Sequence, residues 1–216
     1  GDYTYVASSY TSKGVYTVYG LTPGTYYVRT ENYQSSNYLN EWWAGTGSVL
    51  VSNCSAAESI TISDASVSGK DFQLDTAYSI SGTIYQSDGV TPITDADIEI
   101  EVYQDDPCDD YTYVAWGYVS KGNYTVYGLP PGTYYVRTEN YNQSNYLDEW
   151  WAGTGSVPLS DCGAAGPITI SNASVRGKHF QLDAAYSISG TIYQSDGVTP
   201  ITDADIEIGV YQRSEE

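Results

Sequence analysis

The segment SISGTIYQSDGVTPITDADIEI fills residues 79–100 and returns without a change as residues 187–208. Its first half alternates, with Ile80 and Ile84 on one face and Ser79, Ser81 and Thr83 on the other. That period of two marks a half-buried β-strand. The second half repeats the pattern and carries it to Tyr103: Ala96, Ile98, Ile100 and Val102 face in, while Asp97, Glu99 and Glu101 face out. Ser87-Asp88-Gly89 and Pro92 supply the turn between the two strands.

The duplication extends well beyond this strand pair. Shifting the chain by 108 residues lays Asp2–Cys54 on Asp110–Cys162 without a gap, and 84 of 108 positions are identical. Such a tandem array points to an extended structural or adhesive protein before an enzyme. The rest of the unit also reads as strand and turn. Tyr111–Ser120 and Tyr124–Leu129 flank Lys121-Gly122-Asn123, a short hairpin loop. Pro130-Pro131-Gly132 reverses the chain into Thr133–Glu139, and Pro167–Ser171 and Arg176–Leu182 close the unit. Between them NYNQSNYLDEWWAGTGS (residues 140–156) is irregular, yet too aromatic for a solvated linker, so it is expected to pack over one end or edge. No segment has a helical period, which predicts an all-β chain.

Composition agrees: 24 Tyr and 21 Gly stand against 2 Phe, a strand-and-turn usage. A formal charge of −19 leaves nothing to neutralise a phosphate backbone, which argues against nucleic acid. It suits a solvated secreted surface, and equally one that collects divalent cations. No stretch is apolar enough to span a membrane. Methionine is absent, and the expectation is that an initiator Met and an export signal have been removed or left out.

The repeat also explains three cysteines. Cys54 and Cys162 are equivalents, and Cys108 belongs to the same unit as Cys162. One disulfide per unit, Cys108–Cys162, would contribute roughly 4 kcal/mol by chain-entropy reasoning. It places the chain in an oxidising, extracellular setting and leaves Cys54 without an obvious partner.

The run YTVYGLPPGTYYVRTEN (residues 124–140) resembles the G-L-P-P-G-T-Y signature of carboxypeptidase-regulatory-like domains, and ISGTIYQSDGVTPITDADIEIEVY (residues 80–103) resembles their opening strands. NYLDEWW (residues 145–151) and GKHFQLD (residues 177–183) are similar to segments of secreted bacterial repeats of this type. The resemblance implies tandem seven-stranded transthyretin/Ig-like β-sandwich domains, related in outline to collagen-adhesin B-type repeats. It also implies a phase. Residues 1–75 form the last two-thirds of one domain, 76–183 a whole domain, and 184–216 the first strands of a third. Residues 184–216 of one molecule would then complete residues 1–75 of the next, head to tail, in a filament. A window of a longer array is the plainer account.

Candidate chemistry is sparse. His179 has Asp71 as its counterpart, so a Ser-His-Asp reading would fail in one unit, and no catalytic residue is expected. Asp105, Asp106, Asp109 and Asp110 crowd around Cys108 in a loop that suits Ca²⁺, with Asp88 and Asp95 as a weaker second group. Trp150 and Trp151 fit either the core, an interface, or a glycan platform flanked by Asp148 and Glu149. Resemblance to the collagen-adhesin repeats brings in an isopeptide from Lys178 to Asn172 or Asn140. Asn53, Asn123, Asn142 and Asn172 match the glycan-acceptor pattern. The reading that results is an extracellular, non-enzymatic filament, fibre or stalk serving adhesion or surface scaffolding. The alternative is a carbohydrate-binding module array.

Overall fold

A computed structural model of the chain describes residues 3–32, 37–94, 97–109, 111–141 and 145–211. The candidate ligands Asp95 and Asp110 and the acceptor Asn142 lie outside them. The chain is all-β, and it divides into two compact units, Gly1–Ala184 and Ala185–Glu216.

The first repeat contributes β1 (Gly24–Tyr26), β2 (Glu41–Trp43), β3 (Ser48–Leu50) and β4 (Ile60–Ile62). The complete repeat contributes β5 (Tyr78–Gln86), β6 (Ile98–Gln104), β7 (Thr112–Ser120), β8 (Asn123–Leu129), β9 (Gly132–Asn140), β10 (Glu149–Trp151), β11 (Ser156–Pro158), β12 (Ile168–Ile170) and β13 (Phe180–Leu182). All nine join one sheet in the order β11-β10-β9-β6-β7-β8-β5-β13, with β12 on the other part of β9. The sheet turns back on itself and comes close to closing. β7 and β8 pair only at their hairpin end, Val119 with Tyr124 and Ser120 with Asn123, so the two layers part there and enclose the core.

The alternation in the sequence sets the inside. Ile80, Ile84, Ile98, Ile100 and Val102 are buried against Val126, Leu129, Tyr134, Val136, Ile168, Ile170, Phe180 and Leu182. Six of these core residues, counting Ile93, come from the β5–β6 segment, and each such side chain contributes about 1.5–3 kcal/mol on burial. The turns follow local chemistry. Lys121 and Gly122 both have positive φ, 51° and 77°, the geometry of a two-residue type I′ hairpin. The Tyr134 hydroxyl donates to the Pro130 carbonyl at 2.7 Å, so the Tyr of the Pro-Pro-Gly-Thr-Tyr run latches the turn it follows.

Three parts of the unit depart from the sequence reading. The stretch after Asn140 is less irregular than expected: β10 and β11 form a short hairpin within and just after it. A six-residue 3₁₀ segment, Leu159–Ala164, follows, where no helix was expected. The closing strand β13 is shorter than residues 176–182 and runs parallel to β5, Phe180 beside Ile84.

Gly82 marks the tightest crossing. A Cβ there would sit 1.9 Å from the Lys178 carbonyl oxygen, a backbone atom with no rotamer to yield. Gly82→Ala is therefore expected to lower unfolding free energy by about 1–3 kcal/mol or more, read by denaturant titration. An unchanged midpoint would mean that this crossing is absent in solution.

Candidate functional site

The same amino acids adopt two states in this chain. In β5 and β6, Ile80 and Ile100 are 0% exposed. Their copies in the second unit, Ile188 and Ile208, are 87% and 68% exposed, and Val210 is 73% exposed where Val102 is 0%. No strand forms among the described residues 185–211. Local structure nevertheless survives there. The Val198 and Thr199 amides donate to the Asp196 carboxylate at 2.9 Å, as those of Val90 and Thr91 do to Asp88 at 2.8 Å. Hydrogen bonds from the Thr199 hydroxyl and these amides hold the Asp196 carboxyl down to about 2. Tyr193 bridges Pro200 as Tyr85 bridges Pro92. The turn is written locally, whereas the strands need partners.

The first repeat shows the complementary deficit. β1 pairs with β4 as β9 pairs with β12, and β2 pairs with β3 as β10 pairs with β11. Arg29 still bridges Trp42 as Arg137 pairs with Trp150. The Tyr16 hydroxyl donates to the Lys70 carbonyl at 2.6 Å, matching Tyr124 to Lys178 at 2.6 Å. Lys13-Gly14 keeps the hairpin turn, with φ of 52° and 79°. What fails is the pairing of the strands that flank β5 and β6 in the complete repeat. Only the Ser12–Val15 bridge remains of the β7–β8 hairpin. Tyr16, Val18, Tyr26 and Val28 are half-buried, where Tyr124, Val126, Tyr134 and Val136 are buried. Among the described residues 3–75, the outer hairpins and turns of the complete repeat therefore recur without the ladder that β5 and β6 supply there.

The disulfide forms as the repeat implies: Cys108 and Cys162 are bonded, with Cα atoms 5.2 Å apart. It ties the loop after β6 to the 3₁₀ segment after β11, a bond of the kind that persists in oxidising compartments. Cys54 is a free, exposed thiol.

Three aspartates of the expected calcium loop, Asp105, Asp106 and Asp109, lie among the described residues. The Asp105 carboxylate accepts from the Thr112 hydroxyl at 2.9 Å, and Asp106 accepts from the Cys108 amide at 2.9 Å. Asp88 is committed to its own turn, and Asp109 sits in the exposed part of the loop. No group of three metal-ligating side chains occurs among the described residues. Asp88, Asp105 and Asp106 thus hold their own loops through these hydrogen bonds.

Trp150, Trp151 and Glu149 are 2%, 5% and 1% exposed. Of the three placements open to these indoles, their burial agrees with the core and leaves the platform no open face in this chain. Trp151 joins the core, and the Lys178 ammonium lies 4.3 Å from its ring centroid. Asp148 turns inward to the Asn140 amides. Glu149 accepts from the Asp183 amide at 3.0 Å, and Glu41 accepts from Asp75 at 3.2 Å in the first repeat. A buried carboxylate therefore pins the end of each repeat. His179 is exposed; its Nδ1 accepts from the Thr83 amide at 3.1 Å.

A feature that sequence reasoning missed lies on β7. The Val102–Tyr103 pairing carries a bulge, Val102 opposite Ala115 but Tyr103 opposite Tyr113. One extra residue reverses the phase, so Trp116 and Tyr118 share the outer face with Tyr113. Plain alternation would have split them.

No protein-family model matches the chain, and no curated protein matches it.

Two measurements probe these contacts. Native thiol titration should find one reactive cysteine, and reduction should expose three while costing roughly 4 kcal/mol of stability; two or more reactive thiols before reduction would contradict the bond. Burial, aided by the nearby Asp183 charge, holds the Glu149 carboxyl above the ordinary glutamate range, against hydrogen bonds from Ser156 and Asp183. The folded chain thus binds this proton more tightly than the unfolded one, so its stabilising effect is full at low pH and falls as pH rises through the folded value. Glu149→Gln keeps an acceptor and removes the titration. Its melting temperature should fall less than wild type across that rise, and superposable profiles would refute the assignment.

Proposed function

We propose that this is an extracellular structural repeat protein. Its transthyretin-like β-sandwich units join head to tail into a filament or stalk for adhesion or surface scaffolding. Residues 186–211 of one molecule enter residues 3–75 of the next. The observation that carries this is the pair of matching deficits: an unpaired copy of the strand pair and an unfilled copy of its frame, in one chain. Alternation leaves the first with exposed Ile and Val, an edge and face that association would cover.

The complete repeat supplies the register by a shift of 108. Ile80 pairs with Val126 and Gly82 with Tyr124, so Ile188 would pair with Val18 and Gly190 with Tyr16. Ile100 lies between Gly117 and Thr138, and Val102 between Ala115 and Val136, which places Ile208 between Ser9 and Thr30, and Val210 between Ala7 and Val28. The joint would differ from the covalent repeat in two respects. Gly209 stands where Glu101 bonds Arg137, and Glu216 stands where Cys108 bonds Cys162. It would be held by strands and side chains without a disulfide.

Gly190→Ala is the decisive variant. A Cβ added at Gly190 would meet no atom within 4 Å, whereas one at its twin Gly82 meets the Lys178 carbonyl at 1.9 Å. The variant chain should melt like wild type, yet its Cβ would strike the Lys70 carbonyl of the next molecule. Assembly followed by sedimentation and electron microscopy should weaken by about tenfold or more. Filaments of Gly190→Ala forming at the wild-type concentration would overturn strand entry.

A further inference from the structure

The outer face of the complete repeat is a grid of three rungs across β7, β6 and β9. Tyr113, Tyr103 and Tyr135 make the first, Trp116, Glu101 and Arg137 the second, and Tyr118, Glu99 and Glu139 the third. Each rung ends on an aromatic ring of β7. With Tyr111 just before the strand, these rings are 41–64% exposed. The row from 111 to 118 extends roughly 20 Å at the rise of a strand. Trp116 and Tyr118 touch edge to face, with centroids 4.6 Å apart. Below them Tyr103 is covered by Tyr111, Tyr113 and Trp150, with the Arg137 guanidinium 5.2 Å from its ring. A rigid aromatic row therefore stands uncovered on a firmly packed base.

Beside the row, charge is out of balance. Arg137 is shared by Glu101 at 2.8 Å and Glu139 at 3.0 Å. Glu99 forms no hydrogen bond or ion pair among the described residues and stands directly opposite Glu139. Like charges in facing positions destabilise a sheet, and a cation between them would relieve it. Burial, with the fields of Glu101, Asp97 and Glu139, holds the Glu99 carboxyl above its ordinary range.

We propose that this face binds a linear polysaccharide bearing amino groups, the C–H faces of its sugars on Tyr113, Trp116 and Tyr118 and its ammonium groups on Glu99 and Glu139. Aromatic rings attract both the polarised C–H face and the cation. The line of rings suits a polymer of flat units better than a single side chain. A charge of −19 on the whole chain repels anionic polysaccharides from this face. Ser8 stands at the Trp116 position in the first repeat, so one tight site per chain is expected. This inference is independent of the filament, since it uses only the complete repeat.

The test is calorimetric titration of the full chain with a fully deacetylated glucosamine hexamer. One site per chain is expected, with affinity reduced at least tenfold by Trp116→Ala and by Tyr118→Ala at unchanged melting temperature. Glu99→Gln should weaken it, and the N-acetylated hexamer should bind at least tenfold more weakly. No binding by wild type would overturn the proposal. Polylysine bound as tightly and without dependence on Trp116 would do the same, by making the face a general cation sink. So would a Trp116→Ala variant that changes only self-association, since the face would then be an interface between copies.

Discussion

Burial of one alternating strand pair governs this molecule. β5, β6 and the turn between them bring six side chains to the core, and the two strands offer hydrogen-bonding edges to β8, β13, β7 and β9. Where that pair is present, β7, β8 and β9 beside it become strands seven to nine residues long. Where it is missing, the same neighbours keep their turns and short outer hairpins and lose the ladder between them. Backbone ordering is costly, and only the combined burial and pairing of a central strand offset it. A half-repeat is therefore an arrested state, with its frame intact and its centre open.

That arrest is what makes self-association physically reasonable for this chain. The missing element need not be designed afresh, because residues 187–208 match residues 79–100 without a difference. Any surface that accepts the one is shaped for the other. Divergence begins at Gly209, after the last strongly apolar alternation has started, and it removes the charge and thiol that stiffen the covalent repeat. The strands carry identity where packing demands it; the loop beyond is free to drift.

The outer face obeys a different constraint. Inside the repeat several buried polar groups are matched, although the Trp151 indole N–H is not: the Tyr124 and Tyr134 hydroxyls donate to backbone carbonyls, and the Glu149 carboxylate accepts from a backbone amide. Burial pushes the Tyr124 phenol up and holds the Tyr134 phenol at about 12, so both stay protonated donors. Outside, Glu99 and the β7 rings are left unmatched on a stiff sheet. Rigid, preorganised and incompletely satisfied is the usual condition of a recognition surface.

Much of the fold was legible in the residues. Strict alternation located β5 and β6, Lys121-Gly122 marked their neighbours' hairpin, and the shift by 108 paired Cys108 with Cys162. The short β10–β11 hairpin was hidden because three-residue strands carry no measurable period. Core, interface and platform all stayed open for Trp150 and Trp151 because composition cannot say which side of a sheet an indole takes; the packing puts both inside. Trp116 escaped notice because a bulge, defined only by cross-strand pairing, reverses the phase at Val114. The sequence by itself determined periodicity, turns and the identity of the repeats, since these depend on neighbours along the chain. Tertiary structure alone decided which copy of an identical segment becomes a strand, because a strand exists only where a partner lies beside it.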